Sequence, residues 1–260
     1  MIGGWWQAWR RRQEARALAR RSIPDALWQH TLARYPFLQR LSAADMTELR
    51  RLASLFLDKK EFTGAGGLVV TDEMAVAVAA QACLPVLRLG IEQYDDFVGI
   101  VMHPDEVVAR REVMDETGVV HQYDELLSGE AMVGGPMMLS WQDAGERAAD
   151  ADDRDGLAYN VVIHEFAHVL DMRDGVADGV PLLPNAQAQA HWHDTLMAEY
   201  DRFSERVVCG YDTVVDPYGA EAPEEFFAVA SEAFFVTPEA LKEEQPVMYR
   251  LLASFYRQTP

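Results

Sequence analysis

Two histidines four residues apart with a glutamate between them, His164-Glu165-Phe166-Ala167-His168, are the residues of this sequence best suited to chemistry. On an α-helix, positions i and i+4 lie one turn apart on the same face. Two neutral imidazoles so placed can hold one Zn²⁺, and Glu165 beside them can act as base toward a water that the metal activates. Val161, Val162, Ile163, Phe166, Val169 and Leu170 leave the segment apolar nearly all round, as in a buried helix. Burying two histidines and a glutamate without partners is costly, which favours a ligand role over an incidental one.

A catalytic zinc site needs a third protein ligand and an open position. Three arrangements compete. In the long pattern H-E-x-x-H-x-x-G-x-x-H, the glycine position is Asp171 and the last position is Asp174, so the sharp turn lacks its glycine. Asp174 or Asp178 could still ligate as a carboxylate. A glutamate roughly twenty residues downstream, as in thermolysin-like sites, is excluded because no Glu occurs between Glu165 and Glu199. A glutamate on a second helix is the third arrangement, with Glu221, Glu224, Glu225 and Glu232 as candidates. Glu225 and Glu232 share a face at i, i+7, so one can ligate while the other supports a ligand histidine. Glu221 and Glu224 read as solvated.

The elements that must position these groups follow from periodicity and caps. Helices are expected over 5–21, 24–34, 43–58 and 72–83, with Ser42 and Asp45 as cap signals for the third and Thr71-Asp72-Glu73 for the fourth. Gly64, Gly66 and Gly67 lack the Gly-Lys-Ser/Thr of a phosphate loop and read as a turn into a short strand at 68–70. Further strands are expected at 97–102, 119–123 and 137–141, the last placed to bind a substrate backbone by strand addition. His121 reads as incidental. Asp150 to Gly156 is an acidic loop whose first and twelfth calcium-loop positions would be Ala151 and Val162, so it is not a calcium site and instead charges the start of the metal helix. Helices follow over 185–206, 223–236 and about 238–256, with Pro223 in a first turn. His191 and His193, two apart on a helix, point different ways and read as surface residues.

Charge is uneven. The chain carries −19 overall, but residues 1–60 hold 12 Lys/Arg against 5 Asp/Glu, and the remaining 200 hold 11 against 37. An acidic body repels nucleic acid, so no direct nucleic-acid partner is expected. The basic arm is expected to pack on its own body or to form a solvated helix face. Contact of residues 1–22, with Trp5 and Trp9 at i, i+4, with a membrane surface is the alternative. No apolar run is long enough to span a bilayer. Trp5, Trp6 and Trp9 precede Arg10-Arg11-Arg12, the wrong order for a secretion signal, and Cys83 and Cys209 lack C-x-x-C partners. A cytoplasmic, reduced protein is the expectation.

These residues resemble the Mlc titration factor A family of bacterial zinc peptidases. The resemblance runs through Ala82-Cys83-Leu84-Pro85-Val86-Leu87, Leu139-Ser140-Trp141, Asn160 to His168, Asp171 with Asp174 to Gly179, and Pro223 to Glu232. The family is similar in fold to the catalytic domain of anthrax lethal factor. The resemblance implies an α+β, zincin-like metallopeptidase core with a small mixed sheet in residues 61–260, preceded by an N-terminal helical region, 1–60. It implies one Zn²⁺ held by His164, His168 and Glu225, with Glu165 as general base and Tyr218, seven residues before Glu225, as transition-state donor. It further implies an aminopeptidase-like activity on peptide or protein substrates and a regulatory partner of the Mlc repressor type. The thermolysin-clan aminopeptidase signature Gly-x-Met-Glu-Asn is absent. The competing expectation is a non-enzymatic regulator-binding protein with a structural zinc.

Overall fold

The computed structural model describes the backbone of residues 2–114, 120–131, 134–148 and 157–260, and the side chains of these except 2–8, 10, 11, 108–127, 146 and 147. The acidic loop expected at 150–156, Val119, and the side chains of Trp5, Trp6 and His121 lie outside the described residues.

Helix α1 (Ile2–Arg20) leads into α2 (Asp25–Arg34) and α3 (Ala43–Lys59). Ser42 caps α3 by accepting from the Asp45 amide at 3.2 Å. Ala17 of α1 is buried in the common core, and Arg20 grips the Asp58 carboxylate of α3 through two hydrogen bonds of 3.0 and 2.8 Å. The basic arm thus finds a partner within the molecule, although so exposed a pair adds little stability.

Strand β1 (Glu61–Gly64) opens the sheet, and Gly66 and Gly67, at φ 60° and 84°, turn the chain after it. The expected strand at 68–70 is therefore misplaced: the strand precedes the glycines. Helix α4 (Asp72–Cys83) starts on Thr71, whose hydroxyl accepts from the Met74 amide. Strand β2 (Gly99–His103), the antiparallel hairpin β3 (Val107–Met114) and β4 (Val120–Leu127), the two-residue β5 (Gly129–Glu130) and β6 (Met137–Ser140) follow. The main sheet has the order β1-β2-β6-β5, parallel except for β5. This corrects the expectation for 137–141. Residues Met138 and Leu139 pair with Val101 and Met102 on one side and with Glu130 and Gly129 on the other, so β6 is interior and β5 is the edge.

A π-helical turn (Gln142–Arg147) leads toward the buried helix α5 (Val161–Asp171). Helix α6 (Ala186–Val208) starts on Asn185 and α7 (Pro223–Val236) on Pro223, as proline in a first turn allows. The single helix expected over 238–256 is two, α8 (Pro238–Glu244) and α9 (Pro246–Tyr256). Pro246 lacks an amide hydrogen and disfavours helical geometry at Gln245, which breaks the run there.

The fold is α+β, with helices packed about a small mixed sheet. Phe166 of α5 lies 5.5 Å from the Phe56 ring of α3 and 4.8 Å from Tyr94. Helix α7 is buried from Phe226 to Val236, its rings meeting Trp192 and Phe203 of α6 and Tyr256 of α9. No helix among the described residues is long and apolar enough to cross a membrane.

Candidate metal centre

Helix α5 begins on a set of polar contacts that fix its rotation. The Asn160 carboxamide oxygen accepts from the Ile163 amide at 2.9 Å, and its nitrogen donates to Gln81 of α4 at 2.7 Å. Val162, Ile163, Phe166, Ala167 and Leu170 face the core at 1% exposure or less. That burial leaves His164 and His168 on the remaining face, with ring nitrogens Nε2 facing each other at 3.1 Å.

Glu225 of α7 comes to the same point. Its Oε2 lies 3.1 Å from His164 Nε2 and 3.4 Å from His168 Nε2. Glu225 Oε2 is buried against the two ring nitrogens, an arrangement in which all three donor atoms can converge on a common point. Bonds of about 2.1 Å at a tetrahedral angle separate ligand atoms by about 3.4 Å. The observed edges of 3.1, 3.1 and 3.4 Å, in a His/His/Glu donor set, are therefore of the size needed to hold a metal ion. Among the described residues, this is the group of His, Cys, Asp and Glu side chains close enough to share a metal.

Electrostatics hold the cluster together. Burial opposes ionisation of Glu225, but the two adjacent imidazoles prevail and keep its carboxyl well below the usual range. Burial likewise opposes the His164 imidazolium, and Glu225 and Glu232 outweigh it, raising that proton affinity well above the ordinary histidine value. A cation competes there with a proton, since a ligand histidine binds metal in its neutral form. Glu232, 3% exposed, places Oε1 at 2.9 Å from His164 Nδ1 and receives the Asn160 amide on Oε2. A carboxylate in this position fixes the tautomer and ring orientation of a ligand histidine.

Glu165 stands beside the triangle rather than in it. It is 5% exposed, and burial pushes its carboxyl pKa up against the pull of His164 and His168. Edge strand β5 sits directly on it. A Cβ added at Gly129 would lie 2.6 Å from Glu165 Cγ and Oε1, so any larger residue there must displace the Glu165 side chain. Tyr218 sits in a 3-10 turn, Pro217–Ala220, set by Asp216, whose carboxylate accepts the Tyr218 amide at 2.9 Å. Its ring centroid is 6.1 Å from that of His164, and it is 43% exposed. Glu165, His164, Tyr218 and Glu232 line one cavity of about 390 Å³, closed on one side by Ser128 and Gly129.

The other carboxylates considered do not join the cluster. Asp174 and Asp178 are exposed turn residues that accept the Val176 and Val180 amides at 3.1 and 3.0 Å. Glu221 lines the cavity without reaching the triangle, and Glu224 lies outside both. His193 pairs with its neighbour Asp194, and His191 is exposed.

Sequence reasoning missed the tie between the two helices. Asp171, in the last turn of α5, accepts the Gly179 amide on Oδ2 at 2.9 Å. Gly179, at φ 76°, seats against the Pro223 carbonyl at the start of α7, where a Cβ would come within 2.7 Å, and its own carbonyl receives the Trp192 indole at 2.8 Å. Burial raises the Asp171 pKa to about 7. Its position three residues after His168 was visible, but the partner loop was not.

Two histidines on one helix, a carboxylate from a second helix and a buried acid beside them define a class, the metal-dependent hydrolases that activate water. Within it, the chain belongs to the family of glucose-regulated metallo-peptidases M90, whose model matches residues 6–257. It is 38% identical over 236 residues to Mlc titration factor A of Pectobacterium atrosepticum, covering 90% of this chain and 86% of that protein. It is also 38% identical over 237 residues to Mlc titration factor A of Serratia proteamaculans, covering 90% and 88%. The family resemblance read from the sequence is thus borne out, and the metallopeptidase family implies a metal.

Proposed function

We propose that this chain is a cytoplasmic zinc-dependent peptidase with a zincin-like core in residues 61–260 and a helical region, 1–60, packed against it. His164, His168 and Glu225 hold one Zn²⁺. The observation that carries this reading is the three-atom triangle in which Glu225 Oε2 is buried at contact distance from both imidazoles.

When bound, the ion supplies Lewis-acid activation of a water and of the scissile carbonyl. Glu165 takes the proton from the attacking water and returns it to the leaving amine. Its burial supports this role, because a raised carboxyl pKa brings the base toward working pH. Tyr218 donates its hydroxyl to the oxygen that gains charge. Glu232 keeps His164 in the tautomer that leaves Nε2 free. The outer edge of β5, in place of β6, aligns the substrate backbone.

The reading is tested with aminoacyl chromogenic substrates. Hydrolysis is expected, lost on chelation and restored by zinc. An aminopeptidase-like preference predicts that N-acetylation of the substrate abolishes turnover; equal rates would leave an endopeptidase. Tyr218→Phe is expected to lower kcat about 100-fold with KM nearly unchanged and zinc content intact, as for loss of one oxyanion donor. A wild-type kcat would remove Tyr218 from the chemistry. Gly129→Ala forces Glu165 aside and is expected to cost at least about tenfold in kcat/KM while retaining metal.

The name of the relatives, Mlc titration factor A, supports a regulatory partner of the Mlc repressor type for this chain also. Co-elution of purified repressor and this protein in size-exclusion chromatography is the expected result, and separate elution at micromolar concentration argues against it.

A further inference from the structure

A second cavity, of about 730 Å³, opens on the far side of α6 between that helix, α9 and the segment that follows α5. Its volume falls in the range of small-molecule sites, about 300–1,000 Å³. The walls are largely apolar: Leu182, Leu183, Trp192, Val247, Leu251 and Phe255 line it. Trp192 is 3% exposed and forms part of the floor, while Leu182, 52% exposed, stands at the mouth.

The charged side chains lining this cavity are of one sign. Arg173, Arg250 and Arg257 line it, and no aspartate or glutamate is among its described lining residues. That is unusual in a chain of net charge −19. Elsewhere in the acidic body arginines are paired: Arg88 with Asp45, Arg202 with Glu199 and Arg206 with Glu244. Arg250 and Arg257 make no ion pair with any described residue. Arg173 reaches only the Gln93 side chain, and its Nε is buried without a hydrogen-bond partner. Arg257 is moreover held at φ 54°, in the left-handed region that a helix end normally reserves for glycine.

Guanidinium groups bordering an apolar space attract a group that is both anionic and able to accept a forked pair of hydrogen bonds. We propose that this cavity, in which three arginines without carboxylate partners border an apolar floor formed by Trp192 and Phe255, binds an amphiphile made of an apolar body ending in a single carboxylate. Neither half suffices alone. A bare anion would leave the apolar walls wet, and an uncharged hydrocarbon would leave the arginines unpaired. The same chemistry is presented by a free fatty acid and by the C-terminus of a peptide with apolar last residues.

Isothermal titration of the full-length protein with decanoate, below its aggregation concentration, tests the proposal. Saturable binding of one decanoate per chain is expected, with methyl decanoate and acetate each at least about tenfold weaker, because each lacks one of the two recognised features. The double variant Arg250→Ala/Arg257→Ala, whose side chains are exposed and whose folding is checked by its melting curve, is expected to bind decanoate at least about tenfold more weakly. A tetrapeptide ending in Leu-Phe with a free carboxylate, compared with its amide, separates the sources: tighter binding than decanoate identifies a peptide terminus, weaker binding a fatty acid. Equal binding of decanoate and its methyl ester to the wild-type protein overturns the proposal. So does undiminished decanoate binding by a folded double variant, or the absence of saturable binding.

Discussion

Glu165→Gln is expected to lower kcat/KM for peptide hydrolysis by about 10³-fold, the range of a general acid–base group, with full zinc content. The two carboxylates near the histidines have separate geometries. Glu225 Oε2 completes a triangle with the two Nε2 atoms, whereas Glu165 lies outside it under Gly129. Glutamine matches glutamate in shape and retains an oxygen to accept a hydrogen bond, but it cannot take a proton. The substitution therefore removes the proposed base while sparing the metal, and activity and zinc content should separate cleanly. Equal hydrolysis rates for wild type and Glu165→Gln would sink the proposed mechanism. Full activity loss accompanied by zinc loss would instead place Glu165 among the ligands.

Glu225→Ala has the opposite signature: zinc is lost, and activity with it. Outer partners of metal ligands typically cost about 10–100-fold in affinity when removed, and loss of a ligand itself is expected to exceed that. Asp178→Ala is the matched control. Asp178 is exposed and already occupied by the Val180 amide, so zinc content there should equal wild type. Dialysis against graded chelator, followed by metal analysis, reads both variants on one scale. Full zinc retention in Glu225→Ala would remove Glu225 from the site.

What the sequence made legible follows the range of the interactions. His164, Glu165 and His168 were readable because helical periodicity alone puts i and i+4 on one face. The start of α4 at Thr71 and the span of α7 from Pro223 were readable because caps and first-turn proline act locally. Glu225 was one of several candidates until the family resemblance singled it out, since nothing local says which distant helix faces α5. The pairing of Glu232 with His164 was half visible, as an i, i+7 relation on α7, but its partner was not. Gly129 carried no signal: a two-residue strand has no periodicity, and its constraint comes from a side chain 36 positions away. The hairpin strand β3 escaped because Val107-Val108-Ala109-Arg110-Arg111 does not alternate. The strand expected at 68–70 failed because glycines punctuate both the start and the end of strands, and here they mark the end. Arg173, Arg250 and Arg257 gave no sign of sharing a cavity, because only the packing of α6 and α9 brings them to one place.

Whether His164, His168 and Glu225 hold a zinc ion next to Glu165 is decided by anomalous scattering at the zinc edge from crystals of the zinc-loaded protein. A single peak is expected within bonding distance of His164 Nε2, His168 Nε2 and a Glu225 carboxylate oxygen, with Glu165 outside that distance. A peak coordinated by Asp174 or Asp178 instead of Glu225, or none between the two histidines, would contradict it.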